Sequence, residues 1–320
     1  MVETIRVSTG TAVRLGLMKA TVGTYPTTAY LMMDSDKGCR ATCAFCPQSS
    51  TSSSRRDMLS RVQWPRYALS DVLDRLEQTG RSFSRVCVQT LIYDEFLRDL
   101  KDILSGTAKL GLPASASCPP LRREEFEELK RLALNSISLP LDAATPKIFS
   151  RVKAGIYSWE DCMNALKTCV KIFGTGQVWT HLIVGLGETE EEAVALMSQM
   201  LDMGVQVALF AFTPVGGTEL ENQSQPSLQS YRRIQAALSL LSRRLARAED
   251  MRFSNGSLVE FGVSRGFLRE ALSSGRAFMT TGCPGCNRPY YNERASGPLF
   301  NFPFQPSPEE VAKELSTLGL

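Results

Sequence analysis

Apolar, β-branched runs alternate with amphipathic helical stretches along this chain, and that alternation leaves few folds open to it. Runs at 29–33, 85–92, 114–118, 136–141, 177–184, 205–212 and 252–255 read as strands, and helical patterns at 68–77, 122–133, 190–203 and 231–247 fall between them. Repeated βα units pack as a parallel sheet with helices outside it. Six or seven of them predict an α/β fold, a complete or partial TIM-type (β/α) barrel, with functional residues at the C-terminal ends of the strands. At 320 residues and 43% hydrophobic, the chain is long enough to bury one large core.

Two segments fall outside the repeat. Residues 48–56 are serine-rich and polar, which predicts a mobile loop. From residue 278 onward Gly, Pro and aromatic residues are frequent, so the expected division is a barrel over 1–277 and an irregular C-terminal arm over 278–320, packed across the barrel mouth.

Charge narrows the function classes. The 36 basic and 33 acidic residues are interspersed, giving a formal charge of +3 and no basic stripe for a phosphate backbone, so nucleic acid is not an expected partner. No apolar run approaches the roughly 20 residues that cross a bilayer, and no leader pattern opens the chain. The expectation is a cytoplasmic protein without a membrane partner. Nine cysteines, odd in number and clustered in spacing, fit metal ligation in a reducing compartment better than disulfides.

The densest cluster is Cys39, Cys43 and Cys46, just after the first candidate strand. Three thiolates at C-x3-C-x2-C spacing can hold three corners of a cubane iron–sulfur cluster and leave one iron open, whereas electron-transfer clusters use four. Zinc would want a fourth thiolate or imidazole nearby, and the only histidine, His181, is far along the chain. Together with Phe45, in the aromatic slot before the third cysteine, the triplet resembles that of the radical S-adenosylmethionine superfamily. The resemblance implies a [4Fe-4S] cluster whose open iron is chelated by S-adenosylmethionine, and an external electron donor. It also implies reductive cleavage to a 5′-deoxyadenosyl radical, which takes a hydrogen atom no side-chain base could remove as a proton.

Three further stretches are similar to the cofactor pocket of that superfamily. Ile183, Gly185 and Glu188 stand in an Ile-Val-Gly-Leu-Gly-Glu run matching an I-x-G-x-x-E segment beside the adenine, with His181 where a small residue is usual. Asp142, ending the fourth candidate strand, matches an acid placed against the ribose hydroxyls. Glu95, in Tyr93-Asp94-Glu95, matches the last residue of a Gly-Gly-Glu that meets the amino group. For Asp142 and Glu95 the alternative is a helix N-cap or first-turn acid.

Cys87 and Cys118, in or at the end of strands, are spaced like two ligands of the auxiliary cluster of biotin synthase, although buried core cysteines are common. Trp179 stands where that enzyme has a third cysteine, and Arg252 matches its arginine ligand. Cys283 and Cys286, in a CPGC turn, would complete a four-thiolate set for a second [4Fe-4S] cluster, or bind zinc on their own. Cys162 and Cys169 read as core residues. The tail from Thr281 to Glu293 resembles the C-terminal signature of two-protein, biotin-synthase-like lipoyl synthases. That resemblance implies sulfur insertion into an octanoyl chain on a lipoyl-carrier protein, with a companion enzyme acting at the other carbon. Biotin synthase, another small-molecule radical enzyme, or an iron–sulfur scaffold or electron carrier are the alternatives. Ser254 and Ser257 are candidate labile ligands, and Arg55, Arg56, Arg61, Arg66, Arg265 and Arg269 are candidates for docking an acidic carrier.

Overall fold

The computed structural model describes residues 2–79, 82–153, 155–293 and 296–320. The chain begins with β1 (Thr4–Val7), α1 (Thr9–Arg14), β2 (Thr28–Met33), the short β3 (Met58–Leu59) and β4 (Val62–Gln63), β5 (Arg66–Ala68) and α2 (Leu69–Gln78). It continues with β6 (Arg85–Gln89), α3 (Phe96–Ala108), β7 (Ala114–Ser117), α4 (Arg123–Arg131), β8 (Leu134–Ser138), α5 (Pro146–Val152) and α6 (Trp159–Phe173). Then follow β9 (Val178–Val184), α7 (Glu190–Asp202), β10 (Gln206–Ala211), α8 (Leu228–Ser242), β11 (Arg252–Ser254), β12 (Ser257–Glu260), α9 (Arg265–Leu272) and α10 (Pro308–Thr317).

The main sheet runs β10-β9-β8-β7-β6-β2-β1-β5. From β2 through β10 every pair is parallel, as helical crossovers require, giving six βα units of a TIM-type barrel. At the other end β1 lies antiparallel between β2 and β5. Several crossover helices start where the sequence provides a capping box, Ser158 with Asp161 and Thr189 with Glu192 among them.

The seventh expected strand is not part of the barrel. Arg252–Ser254 pairs antiparallel with Ser257–Glu260 as a separate hairpin, because both segments are short and largely exposed and offer no buried face to a sheet. Ser254 and Ser257 therefore lie outside the barrel, which removes them as candidate ligands of a cluster inside it. The tail is also less irregular than its composition suggests, since Ser307 and Glu310 form a capping box that opens α10.

The tail covers the free edge of β10. Leu209 donates its N–H to Thr281 Oγ1 at 2.8 Å, its carbonyl accepts from Arg288 at 3.4 Å, and Thr213 Oγ1 donates to the Asn292 carbonyl at 3.0 Å. An exposed strand edge thus gains partners along its length. Beyond it, the fully buried Arg232 of α8 pins the tail, donating to Glu314 Oε2 at 2.6 Å, to Gln235 and to the Leu299 and Phe300 carbonyls, between the rings of Phe278 and Phe302. Among the described residues no helix is long and apolar enough to cross a membrane.

Removing one member of a buried, multiply bonded ion pair leaves the other charge uncompensated. Arg232→Ala should therefore cost about 3–5 kcal/mol in urea denaturation, and the paired apolar replacement Arg232→Met with Glu314→Leu much less. A loss below about 1 kcal/mol for Arg232→Ala would show that this latch does not hold the tail.

Candidate functional site

The Cys39–Cys46 loop leaves the C-terminal end of β2 and is fixed by its own backbone. Cys46 N–H donates to the Cys43 carbonyl at 3.1 Å, Ala44 N–H to Val152 at the end of α5 at 2.9 Å, and Ala44 accepts from Leu220 N–H at 3.1 Å. Ile92 N–H donates to Cys39 Sγ at 3.3 Å. The serine-rich segment that follows is also tied down. Gln48, 2% exposed, donates to the Arg56 and Met58 carbonyls, Arg56 donates back to the Gln48 and Ser49 carbonyls, and Ser53 N–H reaches Gly217 at 2.9 Å. Its polar side chains satisfy nearby carbonyls, so the expectation of a mobile loop is corrected.

All three cysteines face one cavity of about 780 Å³ that occupies the barrel interior. Room for it comes from small inward residues, Ser115 and Ser117 on β7, Ser138 on β8 and Ala208 on β10, while Met32, Phe210, Phe212 and Tyr291 make much of the wall apolar. Burial pushes the Cys43 thiol up to about 11 and the Cys46 thiol higher still. Such sulfurs ionise when a metal supplies the opposing charge.

Asp142 and Ile183 line the cavity, as does Phe45. The position of Asp142 follows from Pro140, which has no N–H to give the β8–β9 ladder. Leu139 N–H still bonds the Trp179 carbonyl at 2.9 Å, Leu141 N–H turns to Thr180 Oγ1 at 3.1 Å, and Asp142 rejoins at the His181 carbonyl at 2.9 Å, with φ at 64°. Its carboxylate meets Lys153 Nζ at 2.9 Å and stands 3.9 Å from His181 Nδ1, while His181 Nε2 is 2.9 Å from Ser138 Oγ. Burial opposes the Lys153 charge, but Asp142 and Cys43 outweigh it and hold the ammonium at about 12. Sequence reading missed Lys153, which reaches the site only because α5 folds back over the end of the sheet.

Three other expected residues lie elsewhere. Glu188 accepts from Gly185 N–H at 2.6 Å and Leu186 N–H at 3.0 Å, so its carboxylate is used to close its own turn. Gly185 belongs to that turn, with φ at 106° and no room for a Cβ, which would lie 2.8 Å from Pro226. Glu95 is exposed at the N-cap of α3 without making a capping bond, because β6 ends at Gln89 and it is Gln89 and Thr90 that face the cavity.

The remaining cysteines divide as follows. Cys87, Cys118, Cys283 and Cys286 line the same cavity. Cys87 is near enough to Cys118, Cys283 and Cys286 to be felt electrostatically, and burial raises Cys87 to about 11, Cys283 to about 12 and Cys118 further. The CPGC turn is closed by Cys286 N–H on the Cys283 carbonyl at 2.8 Å, and its Gly285 carbonyl accepts from Thr27 and Thr28 while Pro284 accepts from Arg85. Those partners begin β2 and β6. The turn therefore seats at the N-terminal end of the barrel, opposite the triplet, and not across the mouth. Arg252 is exposed, paired with Glu260 in the outer hairpin, and cannot act as an inward ligand; Arg61 and Arg288 are arginines on the cavity wall. Cys169 is core, whereas Cys162 is buried with one side on the cavity.

Among the described residues no three His, Cys, Asp or Glu side chains converge as a single metal ion would need. Two thiol sets, of three and of four, instead face a shared space, a donor chemistry that suits iron–sulfur clusters. The indole N–H groups of Trp64 and Trp179, both on the cavity wall, are buried without a partner.

Burial first, then Arg288 and Lys153 against the pull of Asp142, lower the His181 imidazole to about 4. Below its unfolded value near 6.5 the unfolded chain takes up a proton that the folded chain refuses, so stability falls as pH drops from about 6.5 to about 4. The metal-free wild type should lose roughly 3 kcal/mol more than His181→Gln across that window in urea titrations. Parallel losses would show that His181 is not held neutral.

A sequence model of the Radical SAM superfamily matches residues 36–200. An uncharacterised protein of Methanocaldococcus jannaschii is 25% identical over 204 residues, 62% of this chain and 49% of that one. Biotin synthase of Baumannia cicadellinicola subsp. Homalodisca coagulata is 25% identical over 173 residues, 52% of this chain and 47% of that one. The chain thus spans about half the length of the curated relatives it matches. The FeFe-hydrogenase maturase HydG from Carboxydothermus hydrogenoformans shares the fold at a TM-score of 0.54 and 17% identity, covering 68% of this chain and 51% of that one. With the family match spanning more than half of its residues, this chain belongs to the radical S-adenosylmethionine superfamily, whose enzymes use a [4Fe-4S] cluster and S-adenosylmethionine.

Proposed function

We propose that this protein inserts sulfur into an unactivated C–H bond of a protein-bound octanoyl chain, as one component of a two-protein lipoyl synthase. The observation that carries the reading is that two cysteine sets, of three and of four, line one largely apolar cavity. Cys39, Cys43 and Cys46 would hold a [4Fe-4S] cluster, and Cys87, Cys118, Cys283 and Cys286 a second one serving as sulfur donor. When bound, the first cluster and S-adenosylmethionine supply the hydrogen-abstracting radical, and the second supplies sulfide.

The chain's own residues would bind, orient and exclude water. Asp142, held in place by Lys153, faces the space where ribose hydroxyls would sit, and Phe45 and Ile183 offer apolar surface for the adenine. Met32, Phe210, Phe212 and Tyr291 suit an alkyl chain and keep water from a reactive intermediate. Holding the substrate carbon between the two sulfur sets is the entropic share of the catalysis. An electron donor, the octanoylated carrier and the companion enzyme are the partners this reading requires. For docking, the candidate arginines are narrowed. Arg56 is engaged in holding the triplet's loop, Arg66 pairs with Asp34 and Asp36, and Arg265 bonds the Gly319 carbonyl, whereas Arg55, though it pairs with Asp57, keeps 69% of its side chain exposed.

The test is anaerobic incubation of the reconstituted protein with S-adenosylmethionine, a reductant and an octanoylated carrier peptide, read by mass spectrometry. A mono-thiolated peptide with 5′-deoxyadenosine is expected, and cofactor cleavage with an unchanged peptide, with or without the companion enzyme, would defeat the reading. Cys283→Ala with Cys286→Ala should lower iron from about eight to about four per chain, abolish thiolation and leave 5′-deoxyadenosine formation. A two-iron donor of the biotin synthase kind would give fewer than eight in the wild type. Arg55→Glu should weaken the apparent affinity for the carrier, and an unchanged affinity would exclude that residue from docking.

A further inference from the structure

Tyr30 places a hydrogen-bond donor on one particular sulfur. It lies in β2 directly opposite Cys87 in the ladder, 7% exposed, with its ring inside the barrel. Its hydroxyl oxygen is 3.2 Å from Asn287 N and 2.9 Å from Arg288 N, the two backbone N–H groups that leave the CPGC turn, and 3.3 Å from Cys286 Sγ. A phenolic oxygen accepts at most two hydrogen bonds. Both backbone groups can only donate, so they fill that capacity and the oxygen cannot also accept from a thiol. The hydroxyl proton is left for Cys286 Sγ. The same arrangement fits a metal-bound thiolate, which has no proton and must accept. Gln89 Nε2, at 3.2 Å, donates to Cys87 Sγ, but as an amide with no comparable lock on its direction.

Hydrogen bonds to ligand sulfurs withdraw electron density from the metal and raise its reduction potential, and groups that orient ligands do so without touching the metal. We infer that Tyr30 is a positioning and tuning residue: its hydroxyl donates to Cys286 Sγ and raises the reduction potential of a cluster bound by Cys87, Cys118, Cys283 and Cys286. This rests on the four-cysteine reading above. It couples the turn's backbone to the electronic state of what the turn holds, since the bonds from Asn287 and Arg288 direct the hydroxyl proton.

The experiment uses the full-length chain with Cys39, Cys43 and Cys46 replaced by Ala, reconstituted with iron and sulfide, so that only the second site is loaded. Spectroelectrochemical titration of this protein is compared with the same protein carrying Tyr30→Phe, and with one carrying 3-fluorotyrosine at position 30, whose hydroxyl is the stronger donor. The midpoint potential should move negative in Tyr30→Phe and positive with fluorotyrosine, with iron content equal in all three. A residue that merely packs the turn would not give shifts of opposite sign. Retained iron with an unmoved potential in both variants would overturn the role of Tyr30 and leave the four-cysteine site standing. Failure of the triplet-free protein to retain iron would overturn that site and the inference with it.

Discussion

A thiol inside a low-dielectric cavity keeps its proton until a positive charge replaces it, and this constraint governs how the barrel is built. Burial raises Cys43, Cys46, Cys87, Cys118 and Cys283 above the ordinary thiol range, and all five face the same interior space. Few other charges reach it. Asp142 and Lys153 are paired with each other, His181 is neutral, Arg288 lies 3.8 Å above the Phe210 ring with its N–H groups on backbone carbonyls, and Arg61 and Glu293 also line the space, Glu293 accepting from the Asn292 and Asn301 N–H groups. The interior is suited to sulfur ligands whose charge is balanced by metal.

The sheet and the tail follow from the need to enclose that space. Six parallel strands carry small residues inward on β7 and β8, which opens the cavity, and larger ones on β2, β9 and β10, which line it. A sheet that ends at β10 leaves an unpaired edge, and segment 280–293 meets that edge and then the inner face of β2. The Arg232 latch and α10 hold the rest of the tail against α8. One segment thus seals the barrel and delivers Cys283 and Cys286 to its N-terminal end, while the triplet occupies the C-terminal end.

The alternation of strands and helices was legible because each run is long enough to show its period, and six of the seven expected strands lie in the barrel. The seventh was misplaced because an outer hairpin of three- and four-residue strands looks the same in sequence as a short barrel strand. Phe45, Asp142 and Ile183, read from local motifs whose neighbours fix their direction, line the cavity. Glu188 and Gly185 carried the same motif, yet local hydrogen bonding and crowding assign them to the turn itself. Glu95 lies off the cavity wall because the end of β6 falls several residues earlier than its apolar run. Lys153 and Tyr30 were not legible: Lys153 meets Asp142 only because α5 folds back over the end of the sheet, and Tyr30 acquires its partner from the distant tail. The end of the barrel reached by the tail depends on which strand edge is left open, a property of the assembled sheet.

The central claim is that two metal centres share this cavity. Anomalous scattering at the iron edge from crystals of the anaerobically reconstituted protein tests it most directly. Two separate peaks are predicted, one beside Cys39, Cys43 and Cys46 and the other among Cys87, Cys118, Cys283 and Cys286. A single peak at the triplet, with the other four cysteines ordered and bare, would contradict it.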